Sequence, residues 1–366
     1  MLESGLSVGF NVTLILKTNP YSPDIEVLRK AAQILLSGGL VAFPTETVYG
    51  LGAVAFYENA ARRIFQAKER PPDNPLIVHI AELDMLEDVA VNIPEDAYKL
   101  IRVFWPGPLT LILPKHPRVP PVVSGGLNTV AVRMPAHPVA LGLIRETGYP
   151  IAAPSANLAG RPSPISAEHV IRDLYGRVDA IIDAGETLYG VESTIVNILA
   201  KPPVLLRPGA YPVEQIEAVL GVKLEIPAFA RGFGEAPVAL APGTKYRHYA
   251  PETPVILVEP VSGLENMVNR VKLIAEELLK DHKKVCIAAS RETMKEYLEL
   301  ANKGVVVIDM GSRSNLFEVA RRLFKVLRSF DDISCDVSIV EGFEEKGLGL
   351  TIMNRLRKAS TSKVLA

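Results

Sequence analysis

Cysteine is nearly absent from this 366-residue chain: there are two, Cys286 and Cys335. They are too few for a disulfide framework or a zinc ribbon, and both sit in apolar stretches, so reduced, buried thiols are expected. Net charge is also lacking. Lys and Arg number 40 against 41 Asp and Glu, giving -1, so nothing draws the whole molecule towards nucleic acid or a membrane. No apolar run reaches the roughly 18 to 20 residues that cross a bilayer. The stretch Met1 to Lys17 has no basic n-region, and Asn11 and Thr13 interrupt its apolar residues. An edge strand at Val12 to Leu16 is expected rather than a cleaved signal, with the protein cytoplasmic and free of membrane partners.

Several common active-site signatures are missing as well. There is no G-x-x-x-x-G-K-[ST], which excludes a P-loop, and no G-x-S-x-G elbow. The six histidines (79, 116, 137, 169, 248, 282) form no H-E-x-x-H and have no cysteine partner, so no transition-metal site is expected. Gly50-Leu51-Gly52 and Gly347-Leu348-Gly349 imitate a dinucleotide fingerprint only loosely and read as tight turns or close backbone packing. On pattern alone, His79 at the end of an apolar strand reads as a satisfied structural histidine.

What is present is an ordinary globular composition, 48% hydrophobic and 22% charged, in a chain long enough for two domains. Short apolar runs alternate with helical periodicity. Strands are expected at Leu40–Phe43, Leu76–Ile80, Leu109–Leu113, Thr129–Arg133, Pro150–Ala153, Ala180–Asp183, Thr194–Ile198 and Val204–Leu206. Helices are expected near 25–36, 59–68, 94–104, 136–146, 167–175 and 212–220. The last three strands follow one another without room for a helical crossover, which predicts antiparallel pairing there and a mixed sheet. Residues 227–254 lose periodicity and collect Pro237, Pro242, Gly243 and Pro251, a linker. Beyond it, repeated β-α units from Val255 predict a smaller Rossmann-like parallel domain.

Polar residues cluster at the ends of these strands, where α/β sheets hold their ligands. Pro44-Thr45-Glu46-Thr47-Val48-Tyr49 follows a strand, Arg133 and Ser155-Ala156-Asn157 close others, and Ser193 and Arg207 stand at or near strand ends. Lys68-Glu69-Arg70 ends a helix. Its cations suit triphosphate oxygens, or simply complement the helix dipole. Together the hydroxyl, amide and guanidinium groups suit phosphate and carboxylate recognition.

At Pro44 to Gly52, Lys68-Glu69-Arg70 and Ser155-Ala156-Asn157 the sequence resembles the YrdC-like domain. Pro242 to Pro251 (PGTKYRHYAP) and Gly347-Leu348-Gly349 resemble the C-terminal half of the long threonylcarbamoyl-AMP synthases. The resemblance implies a YrdC-like domain at 14–222 with a twisted mixed sheet around a cationic cavity, a linker or lid at 223–254, and a C-terminal Rossmann-like domain at 255–366. It implies an ATP-dependent nucleotidyltransferase that joins L-threonine, bicarbonate and ATP into threonylcarbamoyl-adenylate and pyrophosphate, with Mg²⁺ carried by the phosphates. The product would pass to a tRNA-modifying threonylcarbamoyl transferase complex, and contact with tRNA itself stays open. Thr47, His79, Arg133, Ala153 and Ser193 resemble the threonine-contacting positions. Arg70, Asn74, Thr129, Ser155, Ser163, Arg207 and Tyr246 resemble the ATP-contacting ones. Lys68, Arg70, Ser155 and Asn157 are the candidates for catalysis beside the phosphates.

Two rivals are weighed against this reading. A non-catalytic RNA-binding protein using the cationic cavity is disfavoured by the charge of -1 and the lack of interleaved aromatic and basic residues. A hydrogenase-maturing carbamoyl transferase also contains a YrdC-like domain, but its zinc fingers need more than two cysteines.

Overall fold

The computed structural model describes residues 12–242 and 248–366. Ten strands make one sheet: β1 (Leu14–Lys17), β2 (Val41–Pro44), β3 (Tyr49–Val54), β4 (Ile77–His79), β5 (Leu109–Pro114), β6 (Thr129–Arg133), β7 (Ile151–Ala153), β8 (Ala180–Asp183), β9 (Thr194–Asn197) and β10 (Val204–Arg207). Their order is β1-β8-β2-β3-β7-β4-β6-β5-β9-β10. The sheet is mixed: β4 runs parallel to β6 and antiparallel to β7.

Eight helices accompany these strands: α1 (Ile25–Leu36), α2 (Glu58–Lys68), α3 (Asp84–Val89), α4 (Glu95–Phe104), α5 (Pro121–Ser124), α6 (Pro138–Thr147), α7 (Ala167–Leu174) and α8 (Val213–Leu220). Asp24 caps α1 by accepting from the Glu26 N–H, and Leu28, Ala31, Ala32 and Leu35 then recur on the buried side. With α6 they cover Val41, Phe43 and Ile182 on one face of the sheet. Helices α2, α4 and α7 cover the other face, where Ala42, Leu51, Val78 and Val132 point. Because alternate strand residues face opposite ways, His79 and Arg133 stand on the face of Ile77 and Ala131, away from α2 and α4.

Two sequence expectations fail here. Gly50-Leu51-Gly52, read as tight turns or close backbone packing, lies within strand β3, antiparallel to β2. Its Gly52 is a close-packing glycine: an added Cβ would lie 2.7 Å from both Ile151 Cγ2 and the Phe43 ring. The expected antiparallel run is true only of β9 and β10. β8 instead pairs in parallel with β1 and β2, with six strands between it and β9. The intervening residues travel across the sheet rather than turning back on β8.

A second sheet contains β11 (Val255–Glu259), β12 (Val285–Ala289), β13 (Val306–Asp309), β14 (Val337–Glu341) and β15 (Ser362–Leu365) in the order β13-β12-β14-β11-β15, every pair parallel. Helices α9 (Leu264–Lys280) and α10 (Leu298–Asn302) cover one face, and α11 (Leu316–Asp332) and α12 (Leu348–Ala359) the other. This is the parallel, two-sided arrangement expected of a Rossmann-like unit. β15 was not foreseen, since this short edge strand is mostly exposed and carries little apolar pattern. The expectation of free thiols is also corrected: Cys286 and Cys335 form a disulfide, with Cα atoms 6.0 Å apart. Cys286 lies on β12 and Cys335 just before the adjacent β14, both within the core beneath α11.

The two sheets share packing. Val48, Val191 and Ala210, from the first half of the chain, belong to the same core as α11 and α12. Arg328 on α11 pairs with Asp173 on α7 at 2.7 Å and donates to the Pro162 carbonyl at 2.6 Å, all buried. Among the described residues no helix is long and apolar enough to cross a membrane.

Candidate active site

A cavity opens on the sheet face that α1 and α6 leave uncovered. Strand ends supply its walls. Thr47 comes from the β2–β3 turn, His79 from β4, Arg133 from β6, Ala153 from β7, Ser193 from the approach to β9 and Arg207 from β10. Arg70, Ser155, Asn157 and Ser163, also singled out from the sequence, line it too.

Arg133 is buried. Its Nη1 donates to Thr47 Oγ1 at 3.0 Å and its Nε to the Gly107 carbonyl at 3.3 Å. Thr47 Oγ1 is also 2.7 Å from Thr45 Oγ1, which donates to the Val48 carbonyl, so the turn orients both hydroxyls. Arg207 clamps the next strand: Nη2 reaches the Ser193 carbonyl at 2.9 Å and its hydroxyl at 3.2 Å, and Nη1 reaches the Pro242 carbonyl at 3.3 Å. Burial lowers the pKa of Arg207 from its ordinary value, and that of Arg70 to about 10. Arg70 Nη2 donates to the carbonyls of Asn74 and Pro75, leaving its buried Nε without a partner.

His79 is held by a contact of 3.1 Å between Nδ1 and the Ile77 carbonyl. Burial, reinforced by the Arg133 charge, pushes its pKa down to about 3, so the ring is neutral at physiological pH. It enters the cavity as a neutral hydrogen-bonding ring.

Lys68, Asn74 and Thr129 stand apart from the cavity lining. Lys68 is buried behind the wall, its Nζ donating to the Ser155 and Asn157 carbonyls, and burial pushes its amine well below the usual lysine value. It therefore braces the Ser155-Ala156-Asn157 turn. Asn74 gives its backbone carbonyl to Arg70. Thr129 begins β6 at the far end from Arg133, roughly 13 Å along the strand. Tyr246 lies outside the described residues, although Pro242 on one side of it and His248 and Tyr249 on the other line the cavity.

Glu192, Tyr249 and Arg161 also line the cavity and were not identified from the sequence. Glu192 accepts from Ser163 Oγ at 2.6 Å. Its position immediately before Ser193 was the available signal. Tyr249 was named only as part of the stretch Pro242 to Pro251; it is buried against Phe324, with ring centroids 5.3 Å apart.

The Sua5–YciO–YrdC family model, described as Telomere recombination, matches residues 33–209, and the model of the threonylcarbamoyl-AMP synthase C-terminal domain matches 211–361. The chain is 51% identical over 340 residues to the threonylcarbamoyl-AMP synthase of Pyrococcus abyssi, covering 92% of this chain and 95% of that protein. This chain belongs to the threonylcarbamoyl-AMP synthase family. The Bacillus subtilis member is 46% identical over 349 residues, covering 95% of this chain and 97% of its own. The crystal structure of P. abyssi Sua5 complexed with L-threonine superposes with a TM-score of 0.89 at 48% identity, covering 97% of this chain and 100% of that one.

Proposed function

We propose that this chain synthesises threonylcarbamoyl-AMP from L-threonine, bicarbonate and ATP, releasing pyrophosphate, as a nucleotidyltransferase serving tRNA modification. The observation that carries the reading is the convergence of Arg70, Arg133 and Arg207 with neutral His79 and several hydroxyls in one cavity, in a chain of this family. Such a cavity suits two anionic substrates that must meet. Non-catalytic RNA binding would not call for a cavity lined by buried guanidinium groups.

Arg133, with Thr47, His79, the Ala153 backbone and Ser193, would take the threonine. Its guanidinium would pair with the carboxylate while neutral His79 adds no positive charge near the amine. Arg70, Ser155, Ser163 and Arg207 would hold ATP, with Asn74, Thr129 and Tyr246 along its length. Lys68 would act through the Ser155–Asn157 turn that it braces, with Asn157 beside the phosphates.

The threonine amine and bicarbonate would condense to a carbamate with loss of water. A carbamate oxygen would then form a bond to the α-phosphorus as the bond to pyrophosphate breaks. Preorganised arginines stabilise the charge that develops on phosphoryl and leaving oxygens, so catalysis is chiefly positioning. Glu192, which lines the cavity, and Glu46, between Thr45 and Thr47, each face an arginine. That donor set fits Mg²⁺ held by the phosphates rather than caged by protein, and the ion would neutralise charge on the departing pyrophosphate.

Mass spectrometry of the product from threonine, labelled bicarbonate and ATP tests the reading. A labelled threonylcarbamoyl-adenylate with stoichiometric pyrophosphate is expected; ADP and phosphate without a labelled adenylate would refute it. For the linker, Tyr246→Ala should lower turnover at unchanged melting temperature. Normal turnover would remove Tyr246 from the site.

A further inference from the structure

Glu192 is a buried carboxylate in the wall of a cavity that, on the proposed function, receives a triphosphate. Left bare, its charge would repel that ligand. Its two oxygens are divided between partners from different halves of the chain. Oε1 accepts from Ser163 Oγ at 2.6 Å, and Oε2 accepts from Arg355 on α12, at 3.0 Å from Nε and 2.9 Å from Nη2.

Arg355 is fully buried, and its remaining nitrogen, Nη1, donates to the Pro208 carbonyl at 2.8 Å and to Asn354 Oδ1 at 2.7 Å. The Tyr249 ring lies 5.2 Å from its guanidinium carbon. Arg355 does not line the cavity; it stands behind Glu192. We propose that Arg355 is a positioning residue for the ATP site: from the C-terminal unit it neutralises Glu192 and fixes the carboxylate so that the Ser163 hydroxyl is held in the wall.

With its proton committed to Glu192, the Ser163 hydroxyl meets the cavity as an acceptor and so faces a donor of the nucleotide, a ribose hydroxyl or the adenine amino group. Opposite charges thus stay paired behind the wall. The C-terminal unit thereby contributes an internal part of the nucleotide site and is more than an appended domain.

Calorimetric titration of ATP into the full chain, without threonine, tests this separately from catalysis. Arg355→Met should weaken ATP binding about tenfold or more, because it leaves Glu192 charged and unpaired beside the triphosphate. The loss should exceed any loss of threonine affinity. Adding Glu192→Gln to Arg355→Met removes the orphan charge and should restore ATP affinity to near that of Glu192→Gln alone.

A merely structural arginine would show no such rescue, so a double variant no better than Arg355→Met overturns the proposal, as does unchanged ATP affinity in Arg355→Met. Should Arg355→Met not fold, Arg355→Lys keeps the charge but not the three-way geometry. It should bind ATP more weakly than wild type while threonine affinity changes less; full ATP affinity overturns the proposal. A wild-type chain that binds ATP yet forms no adenylate would refute the proposed reaction, while the same titrations still decide the role of Arg355.

Discussion

Arg133 and Glu46 bury opposite charges against each other, with Nη2 of the arginine 2.5 Å from Oε1 of the glutamate and both side chains almost fully enclosed. The contact is poorly aligned, and neither Glu46 oxygen accepts a hydrogen bond among the described residues. Such a pair is costly to break from one side, by about 3–5 kcal/mol. Glu46→Gln should therefore lower the melting temperature of the free protein. L-Threonine would bring a carboxylate back to Arg133 and should stabilise the variant more than it stabilises wild type. Thermal shifts with and without threonine check this, and equal shifts would contradict it.

The complementary change removes the cation. Arg133→Ala should reduce threonine affinity roughly ten- to hundredfold, the 1.5–3 kcal/mol typical of a charged hydrogen bond. ATP affinity should change much less. Equilibrium titrations of the two ligands separate these effects, and equal losses would move Arg133 out of the threonine site.

A glycine without a functional group makes a third test. A Cβ at Gly209 would lie 2.2 Å from the Thr194 nitrogen and 2.5 Å from the Glu192 carbonyl oxygen, and backbone atoms cannot swing aside. Gly209→Ala should displace the chain that carries Glu192 and Ser193. A stability loss of about 1–3 kcal/mol, typical of overpacking, is expected together with weaker binding of both substrates. Chemical denaturation and ligand titration of the same sample measure the two.

His79 ties stability to acid. In the unfolded chain its imidazole takes a proton near pH 6.5, whereas in the folded protein it does so only near pH 3. Between these values the unfolded state binds more protons, so stability falls as pH drops, by up to about 1.4 kcal/mol per pH unit from this residue. His169, whose folded pKa is pushed down to about 4, adds to the slope. His79→Gln should flatten the decline between pH 6.5 and 4 in urea denaturation without abolishing it. An unchanged slope would show that His79 already charges in the folded state.

Much of this was legible in the sequence because strand ends announced themselves. Arg133 and Arg207 each close an apolar run, Ser193 stands just before one, and period-two alternation places His79 and Arg133 on a common face. β3 was hidden because its two glycines break the side-chain pattern that marks a strand. The partners of β8 could not be read, since strand pairing depends on where a connection travels, and local sequence does not record that path. Glu192 and Arg355 lie 163 positions apart, and each alone is an ordinary charged residue. Only the packing of α12 against the first sheet makes them a pair. The disulfide escaped for the same reason: two isolated cysteines say nothing until β12 and β14 become neighbours.

The junction between the two sheets has a thermodynamic consequence. Arg328 and Asp173, Arg355 and Glu192, and Thr351 and the Gly209 carbonyl are all buried partners drawn from opposite sides of it. Gly190 belongs to the same seam, since a Cβ there would lie 2.4 Å from the Arg321 carbonyl oxygen. If either half melted first, the other would be left with uncompensated charges and open apolar surface, a state costlier than complete unfolding. Calorimetry should accordingly record a single endotherm whose van't Hoff and calorimetric enthalpies agree, with the two halves melting as one cooperative unit. Two resolved transitions would mean that these buried pairs can be separated at little cost.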